Sequence, residues 1–316
     1  MIQRPREFGW WHEVVLLLLL MAVVIGAGMF VPKFFWSLTQ QLRLSRQMWE
    51  VALLSLGMTL IILTGGIDLS VGSIMALSAV SFGIVFEASE SLPMSAVSCL
   101  LVALCCGALN GALVVWLKLH PLIVTLATFA AFRGIAEGVS QGAHYSGFGE
   151  AFRGLSHDNY LGISIAGWSF FGLVAVLTVM LTNTSWGRYL YAIGHNESAV
   201  RFSGIPVDGM KFSLYSANGV LSGLAAIVLV SRTGAANADV GSGFELEVIT
   251  AVVIGGTSIF GGRGTVIGTA LGVLLIHQTR KFVDLYLQAA EWTPILIGCL
   301  LIGSILVYRA CSRDSK

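Results

Sequence analysis

The chain has 316 residues, of which 56% are hydrophobic and only 11% charged, and its mean hydropathy is +0.83. Soluble globular domains carry about 25% charged residues, so this chain has too little polar surface to cover itself and reads as membrane-embedded. A net charge of +1 offers no basic footprint for nucleic acid.

The first apolar run, Val14 to Val31, contains no charge. A spanning helix needs about 20 mostly apolar residues, and this run opens a series of ten candidate spans. They cover 13–31, 48–64, 70–88, 93–117, 121–140, 166–183, 212–230, 247–262, 264–281 and 292–308. Arg4 and Arg6 precede the first run as in a signal peptide. Met29-Phe30-Val31-Pro32-Lys33 is not a small-residue cleavage site, so the run is read as a retained helix. Between the first two spans, FFWSLTQQLRLSRQMWE mixes aromatic and basic residues and reads as an interfacial amphipathic segment. The spans leave no room for a soluble domain, so 1–316 is read as one all-α transmembrane domain.

Further along lie two long polar loops. Residues 141–167 carry His144, Tyr145, His157, Asp158 and Tyr160, a segment suited to capping the outer mouth or meeting a partner. Residues 184–211 hold a short helical stretch from Glu197 to Phe202, set between glycines and followed by Gly204-Ile205-Pro206. A compact helix between turn signals has the form of a docking element. With both termini cytoplasmic, ten Lys and Arg fall inside and seven outside. That bias places 184–211 on the cytoplasmic face.

Two stretches resemble each other: LTGGIDLSVGSIMALSAV (Leu63 to Val80) and VIGGTSIFGGRGTVIGTALGV (Val253 to Val273). Each is an apolar run broken by paired glycines and resumed by a small-residue helix. Broken helices in corresponding positions mark transport pathways, which makes Gly65, Gly66, Asp68, Ser70, Gly255, Gly256 and Thr257 pathway or gating candidates. Small residues also serve plain helix packing, as in the GxxxG pairs Gly107/Gly111 and Gly264/Gly268. Asp68 is either a substrate contact or a cap of the helix starting near Ser70. It stands nearly alone as a membrane-depth acid. Asp239, Glu245 and Glu247 read as solvated, and His277 as a packing residue.

No GxxxxGK[ST] phosphate cradle occurs, since Gly-Lys is absent from the chain. No metalloprotease or nucleophile motif and no paired Cys/His metal spacing is present, so no catalytic or metal site is expected. Cys99, Cys105, Cys106, Cys299 and Cys311 show no CxxC spacing.

Three stretches together resemble the permeases of bacterial monosaccharide ATP-binding cassette (ABC) importers, the family handling ribose, xylose, arabinose, galactose, rhamnose and autoinducer-2. They are GMTLIILTGGIDLSVGSIMAL (Gly57 to Leu77), GRYLYAIGHNESAVRFSGIPVDGMKFSLYSANGVLSGLAAI (Gly187 to Ile227) and FELEVITAVVIGGTSIFGGRGTVIGTALGVLLI (Phe244 to Ile276). The resemblance implies a dimeric ten-helix permease of the inner membrane, pairing with itself or a sister chain. It also implies a periplasmic sugar-binding protein and a cytoplasmic ATPase that itself holds ATP and Mg. The coupling helix would then comprise Asn196, Glu197, Ser198, Ala199, Arg201 and Gly204. His195 stands where the family commonly has glycine. Branched amino acids or nucleosides are alternative cargoes. A stand-alone secondary carrier is a weaker reading, because intramembrane ionisable residues look scarce.

Overall fold

The computed structural model describes residues 11–157, 159–288 and 291–313. Among them the order is α1 (Trp11–Phe30), α2 (Pro32–Phe35), α3 (Leu38–Ser45), α4 (Trp49–Leu63), α5 (Val71–Ser89), α6 (Leu92–Val115), α7 (Pro121–Ser140), β1 (Tyr145–Ser146) and α8 (Glu150–His157). Then follow β2 (Asn159–Tyr160), β3 (Ile163–Ser164), α9 (Ile165–Asn183), α10 (Ser185–His195), α11 (Glu197–Phe202), α12 (Val207–Thr233), β4 (Ala235–Ala236), α13 (Phe244–Ile254), α14 (Val266–Leu287) and α15 (Trp292–Arg313).

Helices occupy all ten predicted spans. Among the described residues six are long and apolar enough to cross a membrane alone: α1, α5, α6, α7, α9 and α12. The helices α3 and α4 together would make a seventh, bent by 58°. The expected span 247–262 needs correction. Its helix, α13, stops at Ile254 after 11 residues, about 16 Å at 1.5 Å per residue and half of a ~30 Å hydrocarbon core. Gly256, Gly261 and Gly262 have φ of +90°, +85° and +75°, left-handed backbone that ends a helix and that glycine adopts without strain.

Two helices form the centre. All fifteen residues of α4 are buried. α12 packs on α6 so closely that a Cβ at Gly107 would lie 2.9 Å from Gly219 Cα, so here the small residues serve packing. The helix α10 and the segment after it lie at one end of this bundle, beside the C-termini of α4, α6 and α13; we refer to it as the α11 end. At the opposite end, α8 seals the last turns of α12. Ser156 Oγ donates to Val228 O at 3.0 Å, and Ser231 Oγ donates to Phe152 O at 2.7 Å. The strand β1 pairs antiparallel with β4 there, tying the 141–167 loop to the segment before α13.

Candidate coupling and gating site

At the α11 end the backbone of α11 is set by its first residue. Asn196 is extended, and its Oδ1 accepts from Ala199 N at 3.0 Å, which satisfies one orphan donor of the first turn. Val200 turns inward, while Asn196, Ser198, Ala199, Arg201 and Gly204 are exposed. Glu197 accepts from Arg201 at 2.9 Å and from Lys211 at 2.5 Å, and Arg201 also donates to Asp208. Burial pushes the Glu197 carboxyl up, but the bonds and charges of Lys211 and Arg201 outweigh it and hold the carboxyl below its usual range. The short helix is thus clamped to the first two turns of α12 and presents one free face. Phe202 stands on it at 94% exposure, an apolar knob that the sequence reading did not single out.

The same end joins elements that the sequence reading treated separately. Gly194, on α10, is wedged between Leu63 O and Gly262 N with no space for a Cβ. Gly262 N itself donates to Leu63 O at 2.9 Å. A Cβ on Gly261 would sit 2.8 Å from Gly65 N. Tyr191 donates its hydroxyl to Gly264 O at 2.9 Å. The His195 ring lies against Gly262, with Nδ1 2.7 Å from Tyr191 O. The Leu63–Val71 break, the Ile254–Val266 break and the helix leading into α11 therefore meet at one backbone junction.

The other gating candidates are distributed around this junction. Gly66 faces Ile61 and the Tyr215 hydroxyl; Gly255 packs on Gly268, Gly256 on His12, and Thr257 on Gly264. Asp68 is fully buried. Its Oδ1 accepts from Ser70 N at 2.9 Å and Ser70 Oγ at 2.6 Å, and its Oδ2 accepts from Asn218 Nδ2 at 2.9 Å. Asn110 Nδ2 donates to Ser70 Oγ at 2.8 Å. Asp68 thus holds Ser70, the residue just before α5, and ties the first break to α6 and α12. It is not joined to the second break.

The family model described as the permease component of branched-chain amino acid transport systems matches residues 41–305. The chain belongs to this permease family. Its curated relatives include the autoinducer 2 import system permease protein LsrC of Photorhabdus luminescens, 37% identical over 80% of this chain and 77% of the relative. The LsrC proteins of Shigella flexneri (38%) and Escherichia coli strain K12 (37%) each match over 81% of this chain and 75% of the relative. No solved structure matches significantly. The protein is accordingly an ABC-importer permease, a multi-pass membrane component of a transport system and not an enzyme.

The permease carries more buried charge than its sequence suggested. Glu50, in the first turn of α4, is completely buried and pairs with Arg232 Nε at 2.6 Å. Glu247, in the first turn of α13, was expected to be solvated. It is 6% exposed and pairs with Arg280 at 2.8 Å. Asp68 is therefore one of three buried acids among the described residues. The pairs escaped sequence reading because Glu50 and Arg232 lie 182 positions apart, and no local signal at either position names its partner. Among the described residues no cluster of three or more His, Cys, Asp and Glu could hold a metal ion.

Proposed function

We propose that this permease translocates a monosaccharide or similar small polyol across a bacterial inner membrane, driven by a separate ATPase. The autoinducer 2 permeases at 37–38% identity support a furanose-like cargo. The family description supports the alternative, a branched amino acid. The observation that carries the mechanism is Gly194 wedged between Leu63 and Gly262.

In this reading the α11 end is cytoplasmic, with both termini on that side. The ATPase receives α11 through Phe202 and the exposed face of Asn196, Ser198, Ala199 and Arg201. ATP and Mg stay on that partner. A displacement of α11 moves α10, and Gly194 transmits it to both breaks together, because rigid backbone contacts leave no slack. The stubs of α4 and α13 then change direction and switch access from one face to the other. A periplasmic binding protein delivers cargo at the opposite end, a second permease copy or sister chain completes the pathway, and lipid surrounds the outer helices.

The test is isolation of the tagged permease from native membranes, identification of its partners, and uptake by the reconstituted complex. The probes are radiolabelled D-ribose, D-xylose, L-rhamnose and L-leucine. ATP-dependent sugar uptake with an ATPase and a binding protein present is the expected result. Uptake without any ATPase partner would overturn the reading in favour of a secondary carrier. Uptake of leucine alone would transfer the cargo to the amino acids. Phe202→Ala is expected to weaken recovery of the ATPase about tenfold or more, with normal membrane insertion.

A further inference from the structure

The two helices that run into the breaks share a feature at their other ends. The first turn of α4 carries Glu50 and the first turn of α13 carries Glu247; each is buried, and each is paired to an arginine from another helix, Arg232 of α12 and Arg280 of α14. The pairs belong to one network. Glu247 lies within Coulombic reach of Glu50, and Lys281 within reach of Arg232. Lys281 contacts Gln47 at 2.5 Å and Asp284 at 3.5 Å, Asp284 accepts from Thr293 at 2.9 Å, and Gln278 donates to Gln41 at 2.9 Å. Residues of α3, α4, α12, α13, α14 and α15 thus converge opposite the α11 end.

Several buried polar atoms in this network have no hydrogen-bond partner in the protein. They are Glu50 Oε2, His277 Nε2, Gln41 Nε2, Gln278 Oε1 and Arg280 Nε, the last of which lies 3.9 Å from Asp284 Oδ2 in an ion pair. Glu50 and His277 are the most deeply buried, at 0% and 5% exposure. A buried polar group without a partner is costly and requires an explanation. The chemistry of the set is informative. Glu50, Glu247 and Asp284 balance Arg232, Arg280 and Lys281, so the network has no surplus charge to select an ion. An anion needs donors and a cation needs acceptors. Here Gln41 Nε2 and Arg280 Nε donate, Glu50 Oε2 and Gln278 Oε1 accept, and His277 Nε2 does either. Water and the hydroxyl are the simple groups that donate and accept at one atom, and of the two the hydroxyl is the one a cargo carries.

We propose that this network is a hydroxyl-recognition site for the transported polyol, closed in the present conformation, in which Gln41, Gln278 and His277 read individual hydroxyls while the two acid–arginine pairs hold the frame. The assignment rests on the sugar-import reading. It also ties cargo to gating, since the helices bearing Glu50 and Glu247 end in the two breaks. A site that hydrogen-bonds a hydroxyl rejects the analogue lacking it far more strongly than an apolar pocket does.

The test uses the complete complex in liposomes with its own binding protein. Uptake of the radiolabelled sugar that the wild type takes up best is compared with uptake of its monodeoxy analogues. The binding protein is common to every measurement, so a changed preference belongs to the permease. Gln278→Leu is expected to lower the preference for the parent sugar over at least one monodeoxy analogue about tenfold and to raise KM. His277→Phe is expected to do the same for a different hydroxyl. Should either variant fail to assemble, Gln278→Asn, which retracts the amide by one methylene, is read out identically. Equal loss of uptake for all analogues, or unchanged preference, would overturn the proposal and leave the network a structural strut. Absence of any sugar uptake by the wild-type complex refutes the import reading instead, so the two failures are distinguishable.

Discussion

Replacing Gly194 by alanine tests the junction directly. The added methyl group would fall on Leu63 O and Gly262 N, both backbone atoms that cannot rotate away. Overpacking of this kind costs about 1–3 kcal/mol. Parting Gly262 N from Leu63 O, now 2.9 Å apart, removes a hydrogen bond worth about 1 kcal/mol net. Together these destabilise the present junction by about 2–4 kcal/mol, and every 1.4 kcal/mol is a tenfold population change. The balance between junction-closed and junction-open states should therefore move by roughly 30-fold or more. The assay is ATP-driven uptake beside ATP hydrolysis in the reconstituted complex. Uptake per ATP should fall about tenfold or more, while ATPase recovery stays normal because α11 is untouched. Gly209→Ala is the control, since a Cβ there meets nothing within 4 Å. Wild-type coupling in a folded Gly194→Ala protein would refute the view that this contact transmits motion.

Other perturbations probe separate parts of the argument. Glu197 has a folded pKa below its unfolded value of about 4.3, so its stabilising contribution is present above that value and is lost as pH falls through the depressed one. Amide-exchange protection of α11 should be flat from about pH 5 to 8 and weaken below about pH 4, by under about 1 kcal/mol because the clamp is partly exposed; weakening near neutrality would remove Glu197 from the clamp. Glu50→Gln should destabilise the permease by about 3–5 kcal/mol, since it strands the Arg232 charge, and Glu50→Gln combined with Arg232→Met should recover much of this in a thermal-melt assay; additive losses would mean the two do not act as a pair. Cysteine introduced at Ser198 should react with a membrane-impermeant maleimide from the cytoplasmic side alone, and labelling from outside would invert the topology. Purified permease without partners should hydrolyse no ATP, and turnover in a preparation free of other ATPases contradicts the absence of a phosphate cradle.

How far the sequence reached can be judged from particular elements. Long uncharged runs such as Val14 to Val31 announce helices because backbone groups in lipid must be satisfied internally, and every predicted span contains one. The α11 element was legible because its signals are local: Asn196 caps, Gly204 and Pro206 punctuate. The length of α13 was not legible, because apolar composition continues past Ile254 while the backbone turns at Gly256. Phe202 carried no signal, as an aromatic in a short helix is equally suited to burial.

What the sequence determined by itself is everything that depends on neighbours along the chain: the membrane as solvent, the helical spans, the two glycine breaks, the short docking helix and the absence of a phosphate loop. What the tertiary structure alone decided is which of these touch. Gly194 meets Gly262 and Leu63, Asp68 meets Asn218, and Glu50 and Glu247 find Arg232 and Arg280. The reason is physical. A span-end charge or a glycine looks the same in sequence whether it faces solvent, lipid or another helix. Packing brings residues 33 to 182 positions apart to within 3 Å, and that contact decides whether a carboxylate is solvated or buried.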